Sequence, residues 1–174
     1  MMSESPITAD ALVRAVAPAM LAESERLWCV GALIADPRGR VYVQKRAPHR
    51  PLFPNCWDIA GGHVEAGETL HQALGREIAE ETGWRLSRVL HLIDVYDWED
   101  AWSTDGRPRR EADFVVVVEG DLERARLETD RFSTWRWVGR DDLDVLRENR
   151  APGDDFIIQL VERGLAWLSS SHWE

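Results

Sequence analysis

The chain has 174 residues and a net charge of −10, from 31 acidic and 21 basic side chains. This length suits one compact domain, and 44% hydrophobic with 30% charged residues excludes a disordered or fibrous chain. The acidic surface disfavours duplex nucleic acid and anionic membranes as partners. No uncharged apolar run approaches the ~20 residues that span a bilayer, and two cysteines behind an acidic N-terminal segment favour a reduced, cytoplasmic protein.

The first third of the chain predicts helices followed by short strands. Residues 6–24 have helical apolar spacing, and Pro18 should divide that helix. The pattern then predicts a buried strand over 28–35, a turn over 36–39, a second strand over 41–45 paired with the first, an irregular Pro-rich loop over 47–56, and a short strand over 57–60 ended by Gly61 and Gly62.

The remaining chain opens with the strongest helix signal. Thr69 and Gln72 fit a capping box for a helix over 69–82, and Gly83 fits its C-terminal stop. The pattern then predicts a strand over 89–96, a long charged loop over 99–112, a central strand over 114–118, a strand over 135–138, a short helix over 141–146, and a final helix capped by Asp154 with Phe156, Ile157, Leu160 and Val161 facing inward. This order predicts a single α/β domain, a mixed β-sheet with helices on both faces.

The helix over 69–82 carries acidic residues where an apolar face is expected. On a helical wheel, Glu77 and Glu81 lie inside or beside the face made by Leu70, Leu74 and Ile78, and Glu80 lies at its edge. Carboxylates packed this closely repel one another, and burial adds a desolvation cost. A hard divalent cation would neutralise them, since carboxylate oxygens suit Mg²⁺ or Mn²⁺. A solvated acidic face with surface salt bridges is the alternative.

The run GHVEAGETLHQALGREIAEETGW, from Gly62 to Trp84, resembles the Nudix box of the Nudix hydrolase superfamily. The fixed places of that pattern hold Gly62, Glu68, Arg76, Glu77, Ile78, Glu80, Glu81 and Gly83. Trp84 is a mild departure, because the last place is usually aliphatic. The resemblance implies a Nudix-like α/β/α sandwich with a mixed β-sheet over residues 26–168, preceded by an N-terminal helical extension over 1–25 and followed by a tail over 169–174.

The same resemblance implies Mg²⁺-dependent hydrolysis, with Mn²⁺ as a possible substitute. The substrate would be a small phosphorylated molecule, a nucleoside diphosphate derivative or nucleotide, whose diphosphate linkage is attacked by metal-activated water. When the roles of the family's motif are transferred to the matching positions of this sequence, the metal ligands are Glu77, Glu80, Glu81 and the backbone carbonyl of Gly61 or Gly62. Glu68 and Arg76 would form a supporting pair, and the catalytic set is Glu80, Glu81, Arg76 and Asp130. The general base stays open among Glu80, Glu111, Glu128 and Asp130, and a homodimer stays open too.

Substrate binding is expected from basic and aromatic residues outside the box. Arg46, at the end of the second predicted strand, is a candidate for the phosphates, although an exposed strand-end arginine is equally compatible. The cluster of Arg107, Arg109 and Arg110 in the 99–112 loop could clamp phosphate, with Arg109 as its central candidate, or could pair with Glu111. Trp102 and Trp98 could stack a base or only pack.

Two other functions fit the same fold. The stretch PLFPNCWDIAGGH is similar to isopentenyl diphosphate isomerases, but their catalytic cysteine before the Gly-His pair is replaced here by Gly61. A nucleotide-binding module without catalysis would be expected to lose box glutamates, and none is lost here. Hydrolysis is therefore the predicted function.

Overall fold

The computed structural model describes residues 9–15, 18–22, 24–99 and 105–173. Two short helices, α1 (Ala9–Ala15) and α2 (Pro18–Ala22), are divided at Pro18 as predicted. They are followed by β1 (Leu27–Ile34), β2 (Val41–Arg46), β3 (Trp57–Asp58), β4 (Ala60–His63), α3 (Leu70–Thr82), β5 (Arg85–Trp98), β6 (Arg109–Glu119), β7 (Phe132–Val138), a 3₁₀ helix (Arg140–Arg147) and α4 (Phe156–Ser170).

The strands form a mixed sheet, which confirms the α/β prediction, and a second sheet that was not predicted. The mixed sheet has the order β4-β1-β6-β5, with β1 and β6 parallel and the other neighbours antiparallel. The second sheet is antiparallel and has the order β3-β2-β7. In the mixed sheet Gly31 of β1 faces Gly61 of β4, which places the glycine pair beside α3.

The predicted pairing of the 28–35 and 41–45 strands is wrong. β1 already has β4 on one edge and β6 on the other, so β2 joins the second sheet with β3 and β7. A single bridge between Ala35 and Val41 is what connects them around the turn. The short separation of the two strands in sequence suggested a hairpin, but both edges of β1 are taken by strands from later in the chain.

Helix α3 forms where it was predicted. The side chain of Thr69 accepts from the backbone N–H of Gln72 (3.1 Å), and the Gln72 side chain accepts from the N–H of Thr69 (2.8 Å). Gly83 ends the helix with φ 75°, a left-handed conformation that glycine adopts at low cost.

Four other boundaries differ from the prediction. Gly61 and Gly62 do not end a strand, because they lie within β4, paired to Gly31 and Val30. The 99–112 loop is shorter, since β5 continues to Trp98 and β6 begins at Arg109. The cap of α4 is Asp155, whose side chain makes no capping bond, and Phe156 is exposed instead of inward. α4 itself continues to Ser170, into the segment expected to be a tail.

Two hydrophobic clusters lie on opposite faces of the sheets. The first packs α3 against β1 and β6 and includes Leu74, Ile78 and Phe114. The second packs α4 against the other face and includes Leu33, Val115 and Leu165. This confirms helices on both faces, and it puts the α3 carboxylates in a different layer from α4. Among the described helices, none combines the length and apolar composition needed to cross a membrane.

Candidate active site

Docking of α3 buries the two glutamates that the helical wheel placed on its apolar side. Glu77 is 5% exposed and Glu81 is fully buried. The backbone of β4 passes directly over Glu77, since a Cβ atom built on Gly62 would lie 2.4 Å from Glu77 Oε1. Gly62 is therefore needed for close approach of the strand to the carboxylate.

Each of these carboxylates has one oxygen held by the protein and one that is not. Glu81 Oε2 accepts from Gln44 Nε2 (2.7 Å) and from the backbone N–H of Gly61 (2.9 Å). Glu77 Oε1 accepts from Arg76 Nη1 (2.7 Å). Glu77 Oε2 and Glu81 Oε1 are buried without a hydrogen-bond partner in the described part of the chain. Burial of an acceptor without a partner is costly, which indicates a missing ligand.

Burial also opposes ionisation of both groups. Desolvation raises the pKa of Glu81 to about 8, against the lowering effects of Arg131, Gly61 and Gln44. Desolvation likewise raises the pKa of Glu77, although Arg76 works against it. A divalent cation would offset both costs, because it favours the charged form of each carboxylate.

The donor set fits Mg²⁺ or Mn²⁺ more readily than a softer ion. Within the described ranges, no group of three or more His, Cys, Asp or Glu side chains is arranged as a complete metal cage. Mg²⁺ does not need one, since it keeps several waters and binds through one or two carboxylates plus substrate phosphates. Glu77 and Glu81 meet that requirement, and the carbonyl of Gly61 stays a predicted third ligand.

Arg76 connects the carboxylates to the loop before α3. Its guanidinium donates to both oxygens of Glu68 (2.8 and 2.9 Å) and to the carbonyl of His63 (2.8 Å). The hydrogen bond from Arg76 lowers the pKa of Glu68. The predicted pairing of Glu68 with Arg76 is thus present in the structure.

Glu80 is not brought to the buried pair. Its side chain is 52% exposed and lies 3.3 Å from Arg76 Nη1, the i,i+4 contact that the sequence suggested. Its assignment as a metal ligand or catalytic base stays a prediction.

Gln44 and Tyr42, which sequence reasoning missed, support Glu81 from β2. Gln44 is fully buried, and its Oε1 accepts from the Tyr42 hydroxyl (3.1 Å) while its Nε2 donates to Glu81. The Tyr42 bond fixes which end of the amide faces the carboxylate. A glutamine inside the otherwise apolar run VYVQ was the available signal.

Arg131 is the third missed residue. Its Nη1 lies 3.6 Å from Glu81 Oε1, the oxygen without a hydrogen bond, and 3.3 Å from Glu128 Oε2. Asp130 is exposed, and its backbone carbonyl is hydrogen-bonded to His49 Nε2 (2.9 Å). Of the loop acids considered, Glu128 is therefore the one connected to the buried pair.

Arg46 lies at the same end of the sheet as Arg131. The backbone N–H of Ala47 donates to the Arg131 carbonyl (2.8 Å), which holds the two segments together. The Arg46 guanidinium donates to the Leu52 carbonyl (2.8 Å) and contacts Asp58 (3.4 Å). Its role in substrate binding stays a prediction.

The prediction that Arg107, Arg109 and Arg110 form a basic cluster on one loop is wrong. Arg109 lies in β6, is 3% exposed and donates to Asp105 (3.0 Å) and to the Arg107 carbonyl (2.7 Å). Arg110, the next residue of the strand, pairs with Asp97 of β5 (2.7 Å). The Arg110–Asp97 charge pair between β6 and β5 made a strand look like a loop. Trp102 lies outside the described residues.

The other predicted residues of this region belong to a separate buried group. Trp98 Nε1 donates to Glu111 Oε2 (2.8 Å) on the sheet face away from α3. Burial raises the pKa of Glu111 to about 7, and Asp58 adds to the effect.

Cys29 and Cys56 are both free and buried, and burial raises the pKa of each thiol, which disfavours a nucleophilic role.

Comparison with known proteins gives consistent matches. A family model described as NUDIX domain matches residues 25–161. The chain is 31% identical over 131 residues to an RNA pyrophosphohydrolase of Novosphingobium aromaticivorans, covering 68% of this chain and 80% of that one. It is 32% identical over 127 residues to the nucleoside triphosphatase NudI of an Enterobacter species, covering 68% and 86%. The crystal structure of a MutT NUDIX hydrolase from Burkholderia pseudomallei superposes with TM-score 0.60 and 28% identity over 80% of this chain and 98% of that chain.

Proposed function

This chain belongs to the Nudix hydrolase family, and we propose that it hydrolyses a phosphoanhydride linkage of a nucleotide with Mg²⁺ as cofactor. The observation that carries the proposal is the pair of buried oxygens that accept no hydrogen bond from the described residues, Glu77 Oε2 and Glu81 Oε1. The two carboxylate oxygens are hard metal donors, one helical turn apart on the buried side of α3, next to the backbone of β4.

Glu77 and Glu81 would hold the cation, and the carbonyl of Gly61 would add a third oxygen. A bound Mg²⁺ withdraws charge from the phosphate oxygens and makes an attacking water easier to deprotonate. The protein's own contribution is to fix the donors: Arg76 holds one oxygen of Glu77, while Gln44 and the Gly61 N–H hold one oxygen of Glu81. Carboxylates held in this way lose little conformational entropy when they bind.

Two further roles are assigned to residues beside the buried pair. Arg131, whose guanidinium lies beside Glu81, is placed to meet an incoming phosphate group, and Arg46 lies on the adjacent strand end. Glu128, which Arg131 contacts, joins Glu80 and Asp130 as a candidate to accept the proton of the attacking water.

The substrate class proposed here is a nucleotide bearing a diphosphate or triphosphate chain. Two relatives support it by name, one a nucleoside triphosphatase and the other an RNA pyrophosphohydrolase. We also propose that the Nudix domain occupies residues 26–168 and that the protein works in the cytoplasm, where free buried cysteines such as Cys29 and Cys56 stay reduced.

The test is a substrate panel with Mg²⁺, in which release of phosphate, pyrophosphate and nucleoside monophosphate is measured separately. The panel contains nucleoside triphosphates, oxidised guanine nucleotides, 5′-triphosphorylated RNA, ADP-ribose, other nucleotide sugars and dinucleoside polyphosphates. Glu77→Gln and Glu81→Gln should each lower turnover by orders of magnitude, and Glu65→Gln, on an exposed side chain, should not. Near-wild-type turnover in either box variant would overturn the assignment.

The isomerase alternative meets a steric obstacle in β4. A Cβ atom on Gly61, where that branch places its cysteine, would lie 2.2 Å from the Val30 carbonyl oxygen. No side chain fits there without a backbone shift. The second alternative, binding without catalysis, would appear in the panel as nucleotide affinity with no product.

A further inference from the structure

A cavity of about 420 Å³ lies at the opposite end of β1 from the glycine pair. It is formed where the turn between β1 and β2, the start of the 3₁₀ helix and the end of α4 meet. The lining residues that matter for binding are Arg38, Arg40, Arg140, Leu165, Leu168 and Trp173. The volume is in the range of small-ligand pockets.

The turn that forms one wall is held by Asp36. This carboxylate is 3% exposed and accepts from the backbone N–H groups of Arg38 (2.9 Å) and Arg40 (2.8 Å) and from Arg40 Nε (2.8 Å). Gly39 takes a left-handed conformation (φ 72°) that the tight turn requires. The wall is therefore preformed, and its arginines project from a fixed backbone.

The charges around the cavity do not balance. Arg40 is neutralised by Asp36 (2.6 Å), but among the described residues Arg140 donates only to the uncharged Ser169 hydroxyl (2.8 Å). The guanidinium of Arg38 contacts no acidic partner in the described part of the chain. None of the described residues lining the cavity is acidic, although the chain has 31 acidic and 21 basic residues. Arg38 and Arg140 are exposed and so keep their guanidinium groups available to an anionic ligand at this cavity.

The rest of the wall is apolar and aromatic. Leu165 and Leu168 are buried side chains of α4 that also belong to the core. Trp173 Nε1 donates to the Leu168 carbonyl (3.1 Å), which holds the indole against the end of the helix. Of these three side chains only the half-buried Trp173 keeps exposed surface, on which a ligand with a flat organic body can stack and an inorganic anion cannot.

From this arrangement we propose that the cavity is a second binding site, separate from the buried carboxylates, for a nucleoside monophosphate. Arg38 and Arg140 bind the phosphate, where the forked guanidinium can donate to two oxygens at once. The base stacks on Trp173, at the edge of the buried Leu165 and Leu168. The site lies on the α4 side of the sheets. Asp36 lies two residues past the end of β1 and five residues after Gly31, about 16 Å from the glycine pair at strand spacing.

The proposal does not depend on the hydrolytic function, so the two can fail separately. The test is calorimetric titration of the protein with adenosine 5′-monophosphate in the presence of EDTA. Separate titrations with adenosine and with inorganic phosphate measure the binding of each half of that ligand. The monophosphate should bind at least about 10-fold more tightly than either half. Arg38→Ala/Arg140→Ala should weaken it by about 10- to 100-fold, the effect of losing hydrogen bonds to a charged group.

Matched controls separate this cavity from the rest of the surface and from the carboxylate site. Arg85→Ala/Arg124→Ala removes two exposed arginines elsewhere and should leave the affinity unchanged. Glu81→Gln should also leave it unchanged. Equal affinity in the Arg38/Arg140 variant, loss of affinity in Glu81→Gln, or no binding by the wild type at millimolar ligand would each overturn the proposal.

Discussion

Replacing Gln44 by Met tests whether a buried amide on β2 sets the metal affinity of Glu81. Methionine keeps the volume and the apolar packing but removes the 2.7 Å hydrogen bond to Glu81 Oε2, leaving the Gly61 N–H alone on that oxygen. A hydrogen bond to a charged group contributes about 1.5–3 kcal/mol, and loss of a partner behind a metal ligand typically costs about 10- to 100-fold in affinity. We expect the dissociation constant for Mn²⁺ to rise by about that factor.

The assay is the free Mn²⁺ signal in an electron paramagnetic resonance titration of the metal-free protein. Tyr42→Phe, which removes only the bond that orients the Gln44 amide, should have a smaller effect in the same direction. Gln159→Met, on the exposed side of α4, is the matched control and should have none. If Gln44→Met changed thermal stability but left Mn²⁺ affinity at the wild-type value, Gln44 would be a packing residue and the reasoning would be refuted.

Three further predictions follow from the same contacts. Gly62→Ala places a methyl group 2.4 Å from Glu77 Oε1 and should lower Mn²⁺ affinity and kcat by at least about 10-fold. The control is Gly75→Ala within α3, where the added methyl group lies 4.0 Å from its nearest neighbour. This control should raise the free energy of unfolding, measured by urea denaturation, by about 0.5–1 kcal/mol. In metal-free protein the pKa of Glu81 is raised from 4.5 to about 8, so the folded state retains its proton longer than the unfolded chain. Stability should therefore fall as pH rises through this interval, by up to ~1.4 kcal/mol per pH unit, and urea titrations of Glu81→Gln should show a flatter dependence. Arg131→Met should raise KM for the preferred nucleotide more than it lowers kcat, and an unchanged KM would remove this residue from substrate binding.

The part of the site that lies on one helix could be predicted from sequence. The wheel position of Glu77 and Glu81 followed from helical geometry alone, and the capping box gave the start of α3. Both are local properties, with partners three or four residues apart. The Arg76–Glu68 pair needed the family resemblance, because it joins a helix to the loop before it.

What could not be predicted depends on strands that are distant in sequence. Gln44 and Arg131 reach Glu81 from β2 and from the turn before β7, 37 and 50 residues away in the chain, and nothing near either residue indicates that contact. The misplaced 99–112 loop has a different cause. Arg110 and Asp97 are charged residues paired across two strands, and in a single sequence such pairs have the composition of a loop.

The most direct test of the central claim is the effect of MgCl₂ on thermal unfolding of the wild type, Glu77→Gln and Glu81→Gln. When its free concentration is about 100 times the dissociation constant, a ligand that binds only the folded state raises the free energy of unfolding by about 2.7 kcal/mol. For a chain of this size that corresponds to a rise of roughly 5–10 °C in Tm. We predict that rise in the wild type, little or none in either variant, and the full rise in Glu65→Gln. An equal rise in all four proteins would show that the ion binds elsewhere and would contradict the account.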